Sequence, residues 1–184
     1  MKKRYFLFYA LISIFVIACT QQKEQQNQIE IQKTTGVVEM KLTSTAFTHN
    51  GAIPSEYTCD GADLSPPLSI SDIPANSKSL ALIMDDPDAP VGTWDHWVVF
   101  NIPPTKQIAK GTEPQGVAGR NSWGRTGYGG PCPPSGTHRY FFKLYALDTE
   151  LNLPKGSTKK ELERAMQGHI VAQAELMGTY KRSR

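Results

Sequence analysis

The sequence predicts one mostly β domain, either a β-sandwich or a β-rich α+β fold. Two observations support this prediction. Short apolar runs recur along the chain, and clusters of proline and glycine separate them, which is typical of short strands joined by tight turns. The chain has 184 residues, which is enough for one domain with a substantial core but not for two.

Four segments have the pattern of strands. Residues 40–47 alternate between two faces, and residues 79–84 form a short apolar run. Residues 96–102 form a second apolar run, and residues 138–147 form a third that is rich in aromatic side chains. Alternation predicts a half-buried strand, and a short apolar run between turns predicts a buried one.

A helix is predicted near the C-terminus. Thr158 and Glu161 have the spacing of a capping box, in which the hydroxyl accepts from a first-turn amide and the carboxylate accepts from the cap. The side chains that then share one face are Leu162, Ala165, Met166 and His169. On this face we expect His169 to pack in the core rather than to bind a ligand.

The end of this helix is ambiguous in the sequence. Continuing the helix keeps Ile170 and Gln173 on the same face, whereas residues 172–177 also alternate as a strand would. We favour a helix that ends near Gly168, followed by a strand that extends to Thr179.

Residues 1–18 have the features of a lipoprotein signal peptide. A basic start precedes an apolar run from Tyr5 to Ile17, which suits a signal sequence and is short for a permanent span. The run ends in Val16-Ile-Ala-Cys19, which resembles the lipobox of bacterial lipoproteins. The resemblance implies cleavage before Cys19, acylation of Cys19, and anchoring to a membrane of the bacterial envelope, on its periplasmic or extracellular face. An ordinary signal peptide and an uncleaved anchor are the alternatives.

Residues 19–36 predict a flexible tether between the lipidated Cys19 and the domain. They are rich in glutamine, with interspersed lysine and glutamate and few apolar residues. Such a segment cannot bury enough apolar surface to offset its ordering entropy. A short, marginal helix is the alternative, and the folded domain is predicted to span residues 37–184.

The charge balance argues against a nucleic-acid partner. Lys plus Arg total 20 and Asp plus Glu total 17, and Lys2, Lys3 and Arg4 account for the whole excess. Nucleic-acid affinity depends largely on neutralised phosphates, so a neutral mature chain has no general electrostatic reason to bind it.

Polar residues cluster where the predicted strands meet proline-rich loops. Asp86 and Asp88 follow one strand, His96 opens the next, and His138 and Tyr140 open the aromatic strand. Strand ends beside rigid loops are favourable places for a small pocket. The sequence has no G-x-S-x-G elbow, P-loop, H-E-x-x-H motif or C-x-x-C pair. We therefore expect a binding protein, without a metal or other cofactor, rather than an enzyme.

Two blocks of sequence resemble the signature blocks of the phosphatidylethanolamine-binding proteins, also called Raf kinase inhibitor-like proteins. The first is Asp86-Pro-Asp-Ala-Pro90 with His96-Trp-Val-Val-Phe-Asn-Ile-Pro103, and the second is Gly130-Pro-Cys-Pro-Pro-Ser-Gly136 with His138-Arg-Tyr140. The segments Tyr57-Thr-Cys-Asp-Gly61, Gly119-Arg-Asn121 and Gly178-Thr-Tyr180 resemble the bacterial and archaeal YbhB/YbcL branch of that family.

The resemblance implies an antiparallel β-sandwich, with one or two short helices near the C-terminus and a small anion-accepting pocket. Carried over by position, the pocket residues are Asp86, Pro90, His96, Pro133, His138 and Tyr140, with Asp88 adjacent. His96, His138 and Tyr140 are then donors to phosphate or carboxylate oxygens, and Asp86 orients an imidazole. Arg139 points away from Tyr140 and is expected to pair with Asp88.

Cys59 and Cys132 are the cysteines that remain besides Cys19. Outside the cytoplasm two thiols in one domain favour a disulfide. The alternative is two free, buried thiols, which we consider only slightly less favoured. A catalytic pair of Cys132 with His138 is disfavoured because Cys132 lies between prolines, with no helix N-terminus to activate its thiol.

The function expected from the sequence is a lipid-anchored envelope protein that binds a small anionic ligand, either a phosphate-bearing headgroup or a carboxylate. The alternative is a protein-interaction module or a protease inhibitor, because relatives inhibit kinases or serine proteases. An envelope location makes a protease the better candidate for a protein partner.

Overall fold

The computed structural model describes residues 39–182. The predicted signal peptide (residues 1–18), the lipidation site Cys19 and the tether (residues 19–36) lie outside the described residues. Within residues 39–182, no helix has the length and apolar character that crossing a membrane requires.

The described chain is built mainly of strands. Their bounds are β1 Lys41–Thr43, β2 Leu68–Ser71, β3 Ser79–Asp86, β4 Trp94–Ile102, β5 Gln107–Ile108, β6 Val117–Ala118, β7 His138–Leu147 and β8 Ile170–Tyr180. Within residues 39–182 one α-helix, α1, spans Lys159–Ala165, and one 3-10 turn spans Ser55–Tyr57.

The strands form two antiparallel sheets. The larger sheet has the order β6-β4-β3-β7-β8, and the smaller has the order β1-β2-β5. Strand β3 lies at the centre of the larger sheet, between β4 and β7. The predicted mostly β fold, an antiparallel β-sandwich with a short C-terminal helix, is confirmed.

Strand β3 is buried at all eight positions because both of its faces are covered. Successive side chains of a strand point to opposite faces. Leu80 and Leu82 belong to the core shared with the smaller sheet. Ala81 and Ile83 belong to a second core on the opposite face, where Leu162 of α1 packs. The continuous apolar run of the sequence therefore reflects two-sided burial.

The helix begins as its capping box predicts. The hydroxyl of Thr158 accepts from the amide of Glu161 at 3.3 Å, and the Glu161 carboxylate accepts from the amide of Thr158 at 2.8 Å. The helix ends at Ala165, and Gly168 adopts a φ of 79°, a left-handed conformation that glycine tolerates. Strand β8 then begins at Ile170, so the prediction of a helix followed by a strand is correct.

Two local predictions are wrong. His169 was expected in the core, but the helix ends before it, so the side chain is exposed and its Nδ1 lies 2.9 Å from Asp148 Oδ1. The strand predicted over residues 40–47 stops at Thr43. Beyond it the hydroxyl of Ser44 donates to the carbonyl of Pro67 and accepts from the amide of Ala46, which turns the chain.

Candidate functional site

A cavity of about 370 Å³ opens at one end of the larger sheet. Its wall brings together Asp86 from the end of β3, His96 from β4 and His138 from the start of β7. Because β3 is antiparallel to both neighbours, its last residue lies beside the first residues of β4 and β7. Residues 39–182 contain no group of three or more His, Cys, Asp or Glu side chains arranged to hold a metal ion.

Asp86 and His138 form a buried pair on this wall. Nδ1 of His138 lies 2.7 Å from Oδ2 of Asp86, and both side chains are less than a tenth exposed. The other carboxylate oxygen of Asp86 accepts from the amide of Asp88 at 2.8 Å. The ionised carboxylate only accepts, so the pair places the proton on Nδ1 and leaves Nε2 of His138 for a ligand.

One ring nitrogen of His96 is already used by a hydrogen bond within the protein. Its Nδ1 lies 2.7 Å from the carbonyl oxygen of Gly129, which can only accept, so Nδ1 carries a proton. Burial lowers the pKa of His96 and so favours the neutral ring. In the neutral ring Nε2 is an acceptor. This tautomer argues against the prediction that His96 donates to an anion, which stays a prediction.

Tyr140 lies behind the cavity wall rather than on it. Its ring meets His96 edge to face at 5.3 Å and stacks on His138 at 6.5 Å. Its hydroxyl is buried and has no hydrogen-bond partner among residues 39–182. Burial, with the Asp86 carboxylate nearby, raises the pKa of Tyr140. Tyr140 shares the face of β7 with His138 but lies one step deeper. It therefore supports the two imidazoles, and this position argues against its predicted role as a donor to the ligand, which stays a prediction.

Asp88 does not line the cavity. It stabilises the loop that follows β3, beside the cavity. Its carboxylate accepts from Nε and Nη2 of Arg139 at 2.9 and 2.6 Å, and also from the Arg139 amide. These bonds lower the pKa of Asp88 to about 2. The expected pairing of Asp88 with Arg139 is correct, and it ties the loop after β3 to the start of β7.

The prolines and cysteines shape the mouth of the cavity. Pro90 lies on the wall as predicted by position, whereas Pro133 is buried away from it and the exposed Pro134 takes its place. Cys59 and Cys132 are joined in a disulfide, with Cα atoms 5.4 Å apart, and both line the wall. Cys132 consequently has no free thiol to pair with His138.

Sequence reasoning missed the aromatic side of the cavity. Trp94, Trp123 and Arg125 line the wall, together with Asp63. The indole of Trp123 meets His96 edge to face at 5.0 Å and Trp94 at 5.4 Å. A signal was available, because the family segment Gly119-Arg-Asn121 directly precedes Trp123 and Arg125. Spacing alone did not place this loop beside His96.

Two adjacent glycines let these groups approach the backbone. A Cβ at Gly129 would lie 2.6 Å from Cζ3 of Trp123, and a Cβ at Gly130 would lie 2.5 Å from Oδ1 of Asp63. That oxygen accepts from the amide of Gly130 at 2.7 Å. Any larger residue would push the indole or the carboxylate off the wall.

Comparison with known proteins agrees with this architecture. Residues 43–181 match the model of the family described as phosphatidylethanolamine-binding protein. A UPF0098 protein of Pyrococcus abyssi is 50% identical over 157 residues, which cover 80% of this chain and 88% of that protein. A UPF0098 protein of Methanothermobacter thermautotrophicus is 53% identical over 150 residues, which cover 78% and 99%.

Solved structures give the same result. A phosphatidylethanolamine-binding protein homologue from Chlamydia trachomatis superposes with a TM-score of 0.77 at 48% identity, covering 79% of this chain and 99% of that one. E. coli YbcL, described as a member of the mammalian family, superposes with a TM-score of 0.73 at 31% identity and the same coverage. The resemblance inferred from the two sequence blocks is confirmed. The chain therefore belongs to the phosphatidylethanolamine-binding protein family, and this membership supports a ligand-binding or interaction module.

Proposed function

We propose that the cavity binds a small phosphate-bearing ligand and that the protein presents this cavity from a lipid anchor in the cell envelope. The observation that carries the proposal is the buried pair of Asp86 and His138 on the cavity wall, 2.7 Å apart. The pair fixes the imidazole of His138 so that its Nε2 is left for a ligand. A volume of about 370 Å³ lies within the usual range of small-molecule pockets.

The two imidazoles together favour a phosphate over a carboxylate. We propose that Nε2 of His138, whose Nδ1 is held by Asp86, donates to the ligand, whereas neutral His96 accepts at Nε2, because its Nδ1–H is already used by Gly129. A singly protonated phosphate group accepts from one ring and donates its P–OH to the other. An ionised carboxylate has no proton to donate to His96. The wider expectation of any small anion thus narrows to a phosphate group that carries a proton, as a phosphomonoester can and a phosphodiester cannot.

Calorimetric titration of the full-length chain, in mild detergent, with inorganic phosphate tests the role of His138. We expect His138→Ala to weaken binding by roughly 10- to 100-fold, the usual value of a charge-assisted hydrogen bond. His169→Ala is the matched control, because His169 also pairs with an aspartate through Nδ1 but is exposed. Equal affinities in the two variants would place the ligand elsewhere.

Asp86→Asn separates two physical roles of the carboxylate. If Asp86 acted only as a negative charge near the anion, its removal would tighten phosphate binding. If it orients His138 and stabilises the imidazolium, its removal weakens binding, and we expect this result. Tighter binding by a correctly folded Asp86→Asn protein contradicts the orienting role.

We infer a binder rather than an enzyme from the composition of the wall. Both wall cysteines are in the disulfide, and residues 39–182 contribute no serine, threonine or lysine to the wall that could act as a nucleophile. Incubation with an aryl phosphate should therefore release no phenol above background. Hydrolysis that is present in the wild type and lost in His138→Ala would contradict this inference.

The proposed anchor rests on the basic start, the apolar run and Cys19 in its lipobox-like setting. We expect mass spectrometry of the mature protein to find an acylated N-terminal Cys19. Cys19→Ser should leave an unprocessed or soluble protein in cell fractionation. An unmodified mature Cys19 in the wild type would rule out lipidation.

A protein-interaction role is the second candidate, and one observation favours it. Within residues 39–182 three large apolar side chains are well exposed, and two of them, Val91 and Trp123, stand at the cavity mouth. Exposed apolar patches often mark partner surfaces. If a protease docks there, Val91→Ser, which removes the apolar side chain without adding a charge, should weaken its inhibition while leaving phosphate binding intact, as enzyme assays and calorimetry can measure.

A further inference from the structure

The charge balance of the cavity wall presents a problem for an anionic ligand. Two carboxylates, Asp63 and Asp86, stand on the wall, and burial favours neutral His96. An entering phosphate therefore meets two carboxylates and an uncharged His96, and His138, the proposed donor, is already paired with Asp86. Among residues 39–182, Arg125 is the only lysine or arginine on the wall.

Arg125 is available for a ligand. Its side chain is exposed at the cavity mouth, and no carboxylate of residues 39–182 forms an ion pair with it. By contrast, Arg139 and Arg182 are committed to Asp88 and Asp60. A guanidinium presents a planar fork of N–H donors that matches two oxygens of one phosphate.

The guanidinium is also held in place. It lies over the indole of Trp123, with Cζ 5.6 Å from the ring centroid. Trp123 in turn packs edge to face on His96 and Trp94. A cation over an aromatic face is attracted to it and loses side-chain freedom before a ligand arrives.

A buried asparagine organises the loop that carries both residues. Asn121 is 4% exposed, and its Oδ1 accepts from the amides of Trp123 and Arg125 at 3.1 and 3.3 Å. Its Nδ2 donates to the carbonyl of Gly127 at 3.1 Å. The loop is also fastened to β4, because the hydroxyl of Ser122 accepts from the amide that precedes His96. The position of Arg125 is thus built into the fold.

We propose that Arg125 is the specificity-determining cation of the cavity, held over the mouth by Trp123, and that it selects ligands whose phosphate oxygens reach the mouth. Asn121 and Trp123 are positioning residues in this arrangement. The proposal rests on the proposed function, since it concerns the same cavity. Arg125 recognises non-bridging phosphate oxygens, which a phosphomonoester and a lipid phosphodiester share.

Calorimetric titration of the full-length chain with methyl phosphate and with dimethyl phosphate tests the proposal. Methyl phosphate carries a P–OH that can donate to neutral His96 and dimethyl phosphate does not, so we expect the wild type to prefer methyl phosphate. The probe that binds more tightly identifies the source, a free phosphomonoester or a diester headgroup, and a preference for the diester contradicts the proposed contact with His96. For that probe we expect Arg125→Gln to lower affinity about 10-fold, the usual effect of losing one charge-assisted contact. Arg125→Lys, which keeps the charge but not the fork, should lose less.

The control is Arg164→Gln, which removes the same charge from the exposed face of α1 and should not change the affinity. Trp123→Leu alone should weaken phosphate binding. The same substitution should have little further effect when it is added to Arg125→Gln, because Trp123 acts through the guanidinium of Arg125. If Arg125→Gln binds as tightly as Arg164→Gln, the role of Arg125 is overturned while the proposed function stands. A wild type that binds neither probe overturns both.

Discussion

The disulfide between Cys59 and Cys132 offers a sharp test of how this fold is held together. Replacing both cysteines by alanine removes the covalent link between the loop at residues 58–61 and the proline-rich loop at residues 130–134. Both side chains are exposed, so the substitution opens no cavity in the core. The predicted loss of stability therefore arises mainly in the unfolded chain, whose conformational entropy increases when the link is removed.

The magnitude follows from the length of the closed loop. The two cysteines are 73 residues apart in sequence. The loop-closure relation then gives a stabilisation of about 4 kcal/mol at 25 °C. Because domains of this size are stable by only about 5–15 kcal/mol, the double variant should lose a large part of its free energy of unfolding.

The ligand cavity should survive this change, because three other hydrogen bonds join these loops or the residues that flank them. The amide of Cys59 donates to Pro131, the hydroxyl of Tyr128 donates to Tyr57, and the amide of Gly130 donates to Asp63. We expect the double variant to bind phosphate with an affinity within about threefold of the wild type, which corresponds to a change in binding free energy of less than about 0.7 kcal/mol.

Urea unfolding followed by tryptophan fluorescence measures the loss. With a slope of about 2 kcal/mol per molar urea, the midpoint should fall by about 2 M. A single variant, Cys59→Ala, is the control that leaves one free thiol and should lose as much. An unchanged midpoint would refute the loop-closure reasoning. Two thiols that react with an alkylating reagent in unreduced, unfolded Cys19→Ser protein would refute the bridge itself.

Three further predictions concern single side chains. Tyr140→Phe should leave phosphate affinity unchanged and stability equal or higher by up to about 1 kcal/mol, because it removes a buried hydroxyl without a partner; weaker binding in calorimetry would restore Tyr140 as a donor. Asp88→Asn should lower stability at neutral pH, and its deficit relative to wild type should shrink as the pH falls from about 3.8 towards 2, since the pKa of Asp88 is about 2 in the fold; a deficit that does not change over this range in urea titrations would show that ionisation of Asp88 is not what stabilises the loop. Thr158→Ala should cost about 1 kcal/mol through the lost helix cap, and an unchanged unfolding midpoint would count against it.

Most of the strands and the start of the helix could be predicted from the sequence, because they depend on residues that are close together along the chain. The aromatic strand was predicted at residues 138–147, and β7 has those bounds. The capping box at Thr158 depends only on residues within one turn. Strand β1 was overpredicted because the hydrogen bonds of Ser44 to Pro67 come from a residue far along the chain, which alternation cannot reveal.

Only part of the candidate site could be predicted from the sequence. The two sequence blocks named Asp86, His96 and His138, which the structure brings onto one wall. They also named Tyr140 and Pro133, which lie behind or away from that wall. A motif specifies which residues are near the site, but the depth of each side chain depends on packing. One step along β7 separates a side chain on the wall from one beneath it.

The sequence by itself determined the fold class, the family, the helix cap and the residues from which the cavity is built, because these depend on local patterns and on motifs in a fixed order. Only the tertiary structure decided the tautomer of His96, the burial of Tyr140 and the placement of Trp123 and Arg125 at the mouth. Each of these depends on a contact between segments distant in sequence. The carbonyl of Gly129 fixes the proton on His96, and the loop organised by Asn121 brings the indole and the guanidinium beside it.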